Sequence, residues 1–331
     1  MALDGHPLCL PDDPTYALDV YTRAVAPRRC EAWLLRGDIV VEPLHRGILL
    51  DGRPVEPTSL VRAETAAGLA ARKATEQGPA EPPEQAPIDA AIHLQHLWEG
   101  SFFDAPHSLL PRIFQAEDLG IDPAIPLLVS EAFLLHSKAA DFLQPLVAGR
   151  RRIVVHRHGH RLRCRSLYLL DPYRFDRASW DRISAATPAA DPPAPIGPRI
   201  ALIRGSNAFL RRVTRGYDIL VEALCAAGFD RVDPGALSVG QQKRIFAAAT
   251  HIVTENGGAL TNIMHRLGRP LRIDSLIAAD YRTTTFQVMS TMYGYDFRSH
   301  VLPSTRTAAG IEMQLDRDTA AAILASARET E

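Results

Sequence analysis

Beyond residue 88 the chain alternates short apolar runs with stretches whose apolar positions recur at helical spacing. AAIHLQ (90–95) and IPLLVS (125–130) read as strands, and residues 106–116 between them carry one apolar helical face. EAFLLHSKAADFLQPLV (131–147) reads as an amphipathic helix with Pro145 near its end. RRIVVHR (151–157) reads as a strand, followed by RLRCRSLYLL (161–170). Further on, RIALIR (199–204), FDRVDP (229–234), HIVT (251–254) and LRIDSL (271–276) are strands. The intervening helices run over 217–227, stopped by Gly228, and from a Ser238/Gln241 capping box through Ala249. Another helix is expected to start near Ala259. This alternation predicts an α/β protein with mostly parallel sheets.

Two proline-rich breaks punctuate the pattern. EQGPAEPPEQAP (76–87) reads as an exposed loop, and ATPAADPPAPIGPR (186–199) as the linker between two α/β halves. Residues 31–57, ahead of the first break, hold short apolar runs separated by RGD, HRG and DGR. That is the pattern of hairpins, with Asp51-Gly52 as a tight turn, and predicts a small β appendage. The expected domains are residues 1–75 (β-rich appendage), 88–185 and 199–305 (the two α/β halves), and a C-terminal helix within 306–331.

One stretch in this frame carries candidate chemistry: TENGGALTNIMHR (254–266), at the C-terminal end of a predicted strand and the start of a helix. Ligands of open α/β sheets bind at that edge. Glycines at 257 and 258 let another group approach the backbone, and free N–H groups at a helix start suit an anion such as a diphosphate. Thr261 and Asn262 are placed to add side-chain donors. The alternative is a tight turn needing glycine for geometry alone.

Composition narrows the partners. The net charge of −1 and the lack of an aromatic-basic motif give no nucleic-acid reading. Only three of the 37 basic residues are lysines, and arginine suits bidentate contact with phosphate. Cys9, Cys30, Cys164 and Cys225 have neither CxxC spacing nor a disulfide pattern. With neither a secretion signal nor a membrane-length apolar run, the chain is expected to be soluble and cytoplasmic, a place consistent with peripheral work at the inner membrane. His156, His158 and His160 alternate as zinc or copper ligands on one strand face would, but no carboxylate pair or second cysteine completes a site. No metal and no cofactor are expected. The absence of G-x-G-x-x-G after a strand disfavours a dinucleotide oxidoreductase.

The order of features in IALIRGSNAFLRRVTRGYDILVEALCAAGFDRVDP and LSVGQQKRIFAAATHIVTENGGALTNIM resembles the C-terminal half of glycosyltransferase family 61, which includes many bacterial capsular-polysaccharide biosynthesis proteins. GSFFDAPHSLLPRIF (100–114) is similar in outline to the family's upstream aromatic-His and Leu-Pro-Arg motif. Three positions depart from the family pattern. Asn256 stands for the loop histidine, Asp104 for the upstream histidine with His107 three residues on, and Arg215-Gly216 for an Asn-Glu pair.

The resemblance implies a GT-B-like fold, with two Rossmann-like domains facing a cleft. It also implies inverting transfer of a sugar from a nucleotide-diphosphate donor to a saccharide acceptor hydroxyl, in surface polysaccharide synthesis. For the departing diphosphate it points to Arg204, Arg211, Arg212 and the Gly257–Asn262 loop, which includes Gly258, with Asn256 just ahead of it. Glu255, and Asp274 at the end of the next strand, are candidates to orient a donor hydroxyl; Glu255 equally suits a helix cap, and each equally suits a plain surface position. Asp104, with His107 beside it, is the candidate base; Asp104 equally suits the N-cap of a helix entered through Pro106. The altered positions also allow a non-catalytic sugar-nucleotide-binding or scaffolding homologue.

Overall fold

The computed structural model describes residues 2–3, 6–7, 32–42, 47–55, 82–95, 101–170, 177–204, 212–280, 284–307 and 310–328. The chain divides into two compact units, one of Arg28–Ala186 and one that joins Thr187–Glu331 to Met1–Pro27.

The Arg28–Ala186 unit is built on seven strands: β1 (Ala32–Val41), β2 (Ile48–Leu50), β3 (Arg53–Pro54), β4 (Glu84–His93), β5 (Leu127–Ser130), β6 (Ile153–His156) and β7 (Arg161–Leu170). Their order is β3-β2-β1-β7-β4-β5-β6. The last four are mutually parallel, while β1, β2 and β3 join antiparallel. The sheet is therefore mixed where a mostly parallel one was expected. The hairpin strands are no separate appendage: β1 pairs with β7 from Ala32↔Leu170 to Val41↔Leu162. Ile39, Val41 and Ile48 share one core with Ala91, Leu128, Leu162 and Leu167. An isolated hairpin buries too little to stand alone, so it joins the larger sheet.

The expected turn at Asp51-Gly52 forms. Both residues have positive φ, 50° and 76°, between the paired Leu50 and Arg53. β4 begins inside the first proline-rich break, with Ala86-Pro87 at a register shift between Gln85 and Ile88. A bulge is where a strand tolerates proline. A π-helical turn (Ala105–Leu109) leads into α1 (Pro111–Asp118). The single helix expected over 131–147 is instead α2 (Glu131–His136), a 3₁₀ turn (Lys138–Phe142) and α3 (Leu143–Val147). Ser137, with φ −103° and ψ 117°, is extended and interrupts the helix. Helix α4 (Arg177–Ala186) closes the unit.

In the second unit the elements run β8 (Arg199–Leu202), β9 (Arg212–Arg215), α5 (Tyr217–Ala226), β10 (Asp230–Val232), α6 (Val239–Ala248), β11 (His251–Glu255) and β12 (Arg272–Ala278). Then come α7 (Thr285–Tyr293), β13 (Asp296–Leu302), β14 (Ser304–Thr307), β15 (Gly310–Gln314) and α8 (Arg317–Arg328). Strands β8, β10, β11 and β12 are the four read from the sequence. With β13 they form an all-parallel sheet in the order β10-β8-β11-β12-β13. Numbered along the chain this is 2-1-3-4-5, so the winding reverses between β8 and β11. One face packs Ala201, Val253, Leu276 and Leu302 against α5 and α8 through Leu220, Leu224 and Ile323. A smaller sheet has the order β9-β15-β14.

The second proline-rich break is tied to α6 rather than free. Ala190 N donates to Gly240 O (3.0 Å) and Lys243 Nζ to Thr187 O (2.6 Å). A Cβ on Gly240 would lie 2.9 Å from Pro188 O, so glycine allows this approach.

Candidate functional site

The winding reversal brings the C-terminal ends of β8 and β11 side by side, with Leu202 paired to Thr254. Backbone hydrogen bonds carry β11 one residue further, through Asn256 N to Leu276 O (2.8 Å). Gly257 then starts a 3₁₀ segment, Gly258–Arg266, in place of the α-helix expected from Ala259. The tighter pattern already ties Leu260 N to Gly257 O (2.9 Å), so it leaves fewer free N–H groups at its start than an α-helix would.

Arg204, two residues past β8, reaches across to this turn. Its Nη2 donates to the Asn256 carbonyl (3.2 Å), and its Nε lies 3.9 Å from Glu255 Oε2. Arg212, from β9, donates to the same carbonyl. Two guanidinium groups thus meet at one peptide oxygen. Burial pulls the Arg204 pKa down while the Glu255 carboxylate opposes that shift. Glu255 is itself buried and accepts a hydrogen bond from Thr214 Oγ1 of β9. Beneath them the Tyr217 hydroxyl donates to the carbonyls of Leu202 (2.7 Å) and Val253 (3.3 Å). Burial, reinforced by Glu255, raises its pKa and keeps the phenol neutral.

Gly257 is extended, with φ 179° and ψ 175°, a conformation open to any residue. The reason for glycine is space: a Cβ there would lie 2.2 Å from Arg204 Nη2. The Asn256 side chain is buried, and its Nδ2 has no partner among the described residues.

The other expected residues fall in different surroundings. Thr261 and Asn262 are fully enclosed rather than at the mouth of the turn. The Asn262 amide donates to Gln242 Oε1 (2.8 Å), and Gln242 donates in turn to the Pro234 and Leu237 carbonyls. Asn262 therefore ties the 3₁₀ segment to α6. Arg211 lies outside the described residues.

Asp274 does not end its strand. It is the third residue of β12, level with Val253 and fully buried. His251 Nε2 and His300 Nε2 each lie 2.8 Å from its carboxylate, and Arg272 Nε lies 3.3 Å away. Burial pushes the Asp274 pKa up, but the two histidine hydrogen bonds outweigh it and hold the carboxyl well below its usual range. These partners occupy Asp274 inside the sheet, away from the strand ends.

In the Arg28–Ala186 unit, Asp104 is buried with helical torsions (φ −69°, ψ −26°) and makes no side-chain capping bond. Asp104 therefore holds the expected N-cap position, with Pro106 just inside the turn, but it lacks the extended torsions and the side-chain bond of a working cap. His107 is enclosed between Phe103 (ring centroids 4.2 Å apart) and Trp180 (5.1 Å). Burial lowers its pKa to about 3. His156 is held between Gln95 Nε2 (2.9 Å) and the His160 carbonyl (2.7 Å), and the His160 ring meets the His158 carbonyl. Among the described residues no three His, Cys, Asp or Glu side chains are grouped to hold a metal. Nor is any described helix long and apolar enough to cross a membrane.

Thr214, Tyr217 and the histidine partners of Asp274 were not read from the sequence. Each acts across strands distant in the chain, and β9 gives no local strand signal.

In an open parallel sheet ligands bind beside the strand ends at the winding reversal, which is where this chain sets its cationic turn. The family model Glycosyltransferase 61 matches residues 99–266, just over half of the 331 residues, and the chain belongs to that family. It is a glycosyltransferase (EC 2.4), acting between a sugar donor and an acceptor. No curated protein matches the chain.

Proposed function

We propose that the protein transfers a sugar, with inversion, from a nucleotide-diphosphate donor to a saccharide hydroxyl in cell-surface polysaccharide assembly. The observation that carries this reading is the convergence of Arg204 and Arg212 on the Asn256–Gly258 turn at the winding reversal. As the bond from the anomeric carbon to the diphosphate oxygen breaks, negative charge grows on the leaving group. Preplaced guanidinium and backbone N–H groups stabilise that charge. They supply the neutralisation that a divalent cation gives elsewhere, so chelation with EDTA is expected to leave transfer intact. Asp104 is the proposed base, taking the acceptor proton as the new glycosidic bond forms.

The reading keeps the GT-B class and a donor domain over residues 199–305. Supporting it are the 2-1-3-4-5 parallel sheet in one unit and the parallel strands β7-β4-β5-β6 in the other. The reading puts the protein in the cytoplasm, a place consistent with peripheral work at the inner membrane.

Thermal melts against a panel of nucleotides and nucleotide sugars test the donor site. One diphosphate class is expected to stabilise the wild type, with a clearly smaller shift in Arg204→Ala. A wild-type melt unmoved by every compound at millimolar concentration overturns the reading. A preparation that binds nucleotide but transfers no sugar, with Asp104→Asn indistinguishable from wild type, would instead identify the non-catalytic homologue.

A further inference from the structure

We propose that Gly257 is a positioning residue: by lacking a side chain it leaves room for the Nη2 end of the Arg204 guanidinium at the turn and sets where that group meets the donor diphosphate. This inference rests on the donor-site reading above. The backbone at 257 places no demand for glycine, since its torsions are those of ordinary extended chain. The demand is steric, and it comes from one residue. The three atoms nearest a Cβ at 257 are Nη2, Cζ and Nε of Arg204, at 2.2, 3.2 and 3.5 Å. All belong to the guanidinium group, which therefore lies over the position the side chain would take.

The other constraints on that group agree. Nη2 is bonded to the Asn256 carbonyl next to Gly257, and Nε faces Glu255, whose other carboxylate oxygen is held by Thr214. Carbonyl, carboxylate and bare Cα together define one position for the charge. A methyl group at 257 would displace the far end of a flexible side chain and no backbone. The fold is thus expected to survive Gly257→Ala while the arginine moves.

Calorimetric titration with UDP, GDP and CDP tests this on wild type, Gly257→Ala, Arg204→Ala and the double variant. For whichever diphosphate binds the wild type, Gly257→Ala is expected to weaken binding about tenfold, the scale of one charge-assisted hydrogen bond. In the Arg204→Ala background the same change is expected to alter affinity less than about twofold, because its effect passes through the arginine. Equal weakening in both backgrounds would show that the glycine serves the ligand directly and would overturn the proposal. So would unchanged affinity in Gly257→Ala. A crystal structure of Gly257→Ala tests the seat without any ligand: a guanidinium displaced from the Asn256 carbonyl is expected, and an unmoved one refutes the seat. If no diphosphate binds the wild type, the donor-site reading fails, while that crystal structure still decides the seat.

Discussion

His107 and His265 are both fully enclosed imidazoles, and desolvation lowers the pKa of each to about 3, with Lys243 adding a smaller push at His265. Folded, they stay neutral; unfolded, they titrate near 6.5. Between those values the unfolded chain binds the extra proton, so stability falls as pH falls. Each histidine is expected to remove about 2 kcal/mol between pH 6.5 and pH 5. Urea melts of wild type and His107→Phe at pH 7 and pH 5 check this. The loss in the variant should be smaller by about that amount, and equal losses would refute it. The candidate residues themselves were partly legible. Arg204, Glu255, Asn256 and Gly257 all follow apolar runs, and a strand end in an α/β protein is where sites gather. Their partners were not, because Thr214 meets Glu255 across 41 residues of chain. The family departure at Arg215-Gly216 has a local account: Gly216 takes φ 85° at the entry to α5, and Arg215 pairs with Glu312 at 2.8 Å.

Among elements, those with strong local chemistry matched their expectation. The capping box at the start of α6 is complete, with Gln241 N donating to Ser238 Oγ (3.2 Å) and Ser238 N to Gln241 Oε1 (2.9 Å). Ser238→Ala is expected to cost about 1 kcal/mol, read as a lower denaturation midpoint at unchanged m-value. No change would mean that the linker contacts at Gly240 and Lys243 hold the helix start without the cap. Elements whose form depends on distant partners were harder to read. β13, DFRSHVL, mixes exposed and half-buried positions along the edge of its sheet and was not expected as a strand. β9 exists because it pairs in parallel with β15, about a hundred residues further on. Residues 131–147 have the apolar count of one helix, yet packing divides them into three pieces.

For the molecule as a whole, the donor reading assigns nucleotide binding to one unit. Hydrogen exchange with and without a bound nucleoside diphosphate is expected to show protection at residues 202–204, 212–214 and 254–260. Protection centred on Asp104 and His107 in its place would move the donor to the other unit. The α/β class, four of the five strands of the all-parallel sheet and the glycine turn were determined by the sequence, because apolar runs and glycines act within a few residues. Tertiary structure alone decided the pairing of the early hairpins with β7, the winding reversal between β8 and β11, and the interior place of Asp274, Thr261 and Asn262. It also decided what Gly257 leaves room for. Strand order and burial arise from contacts between segments far apart in the chain, and no local pattern encodes which segments will meet.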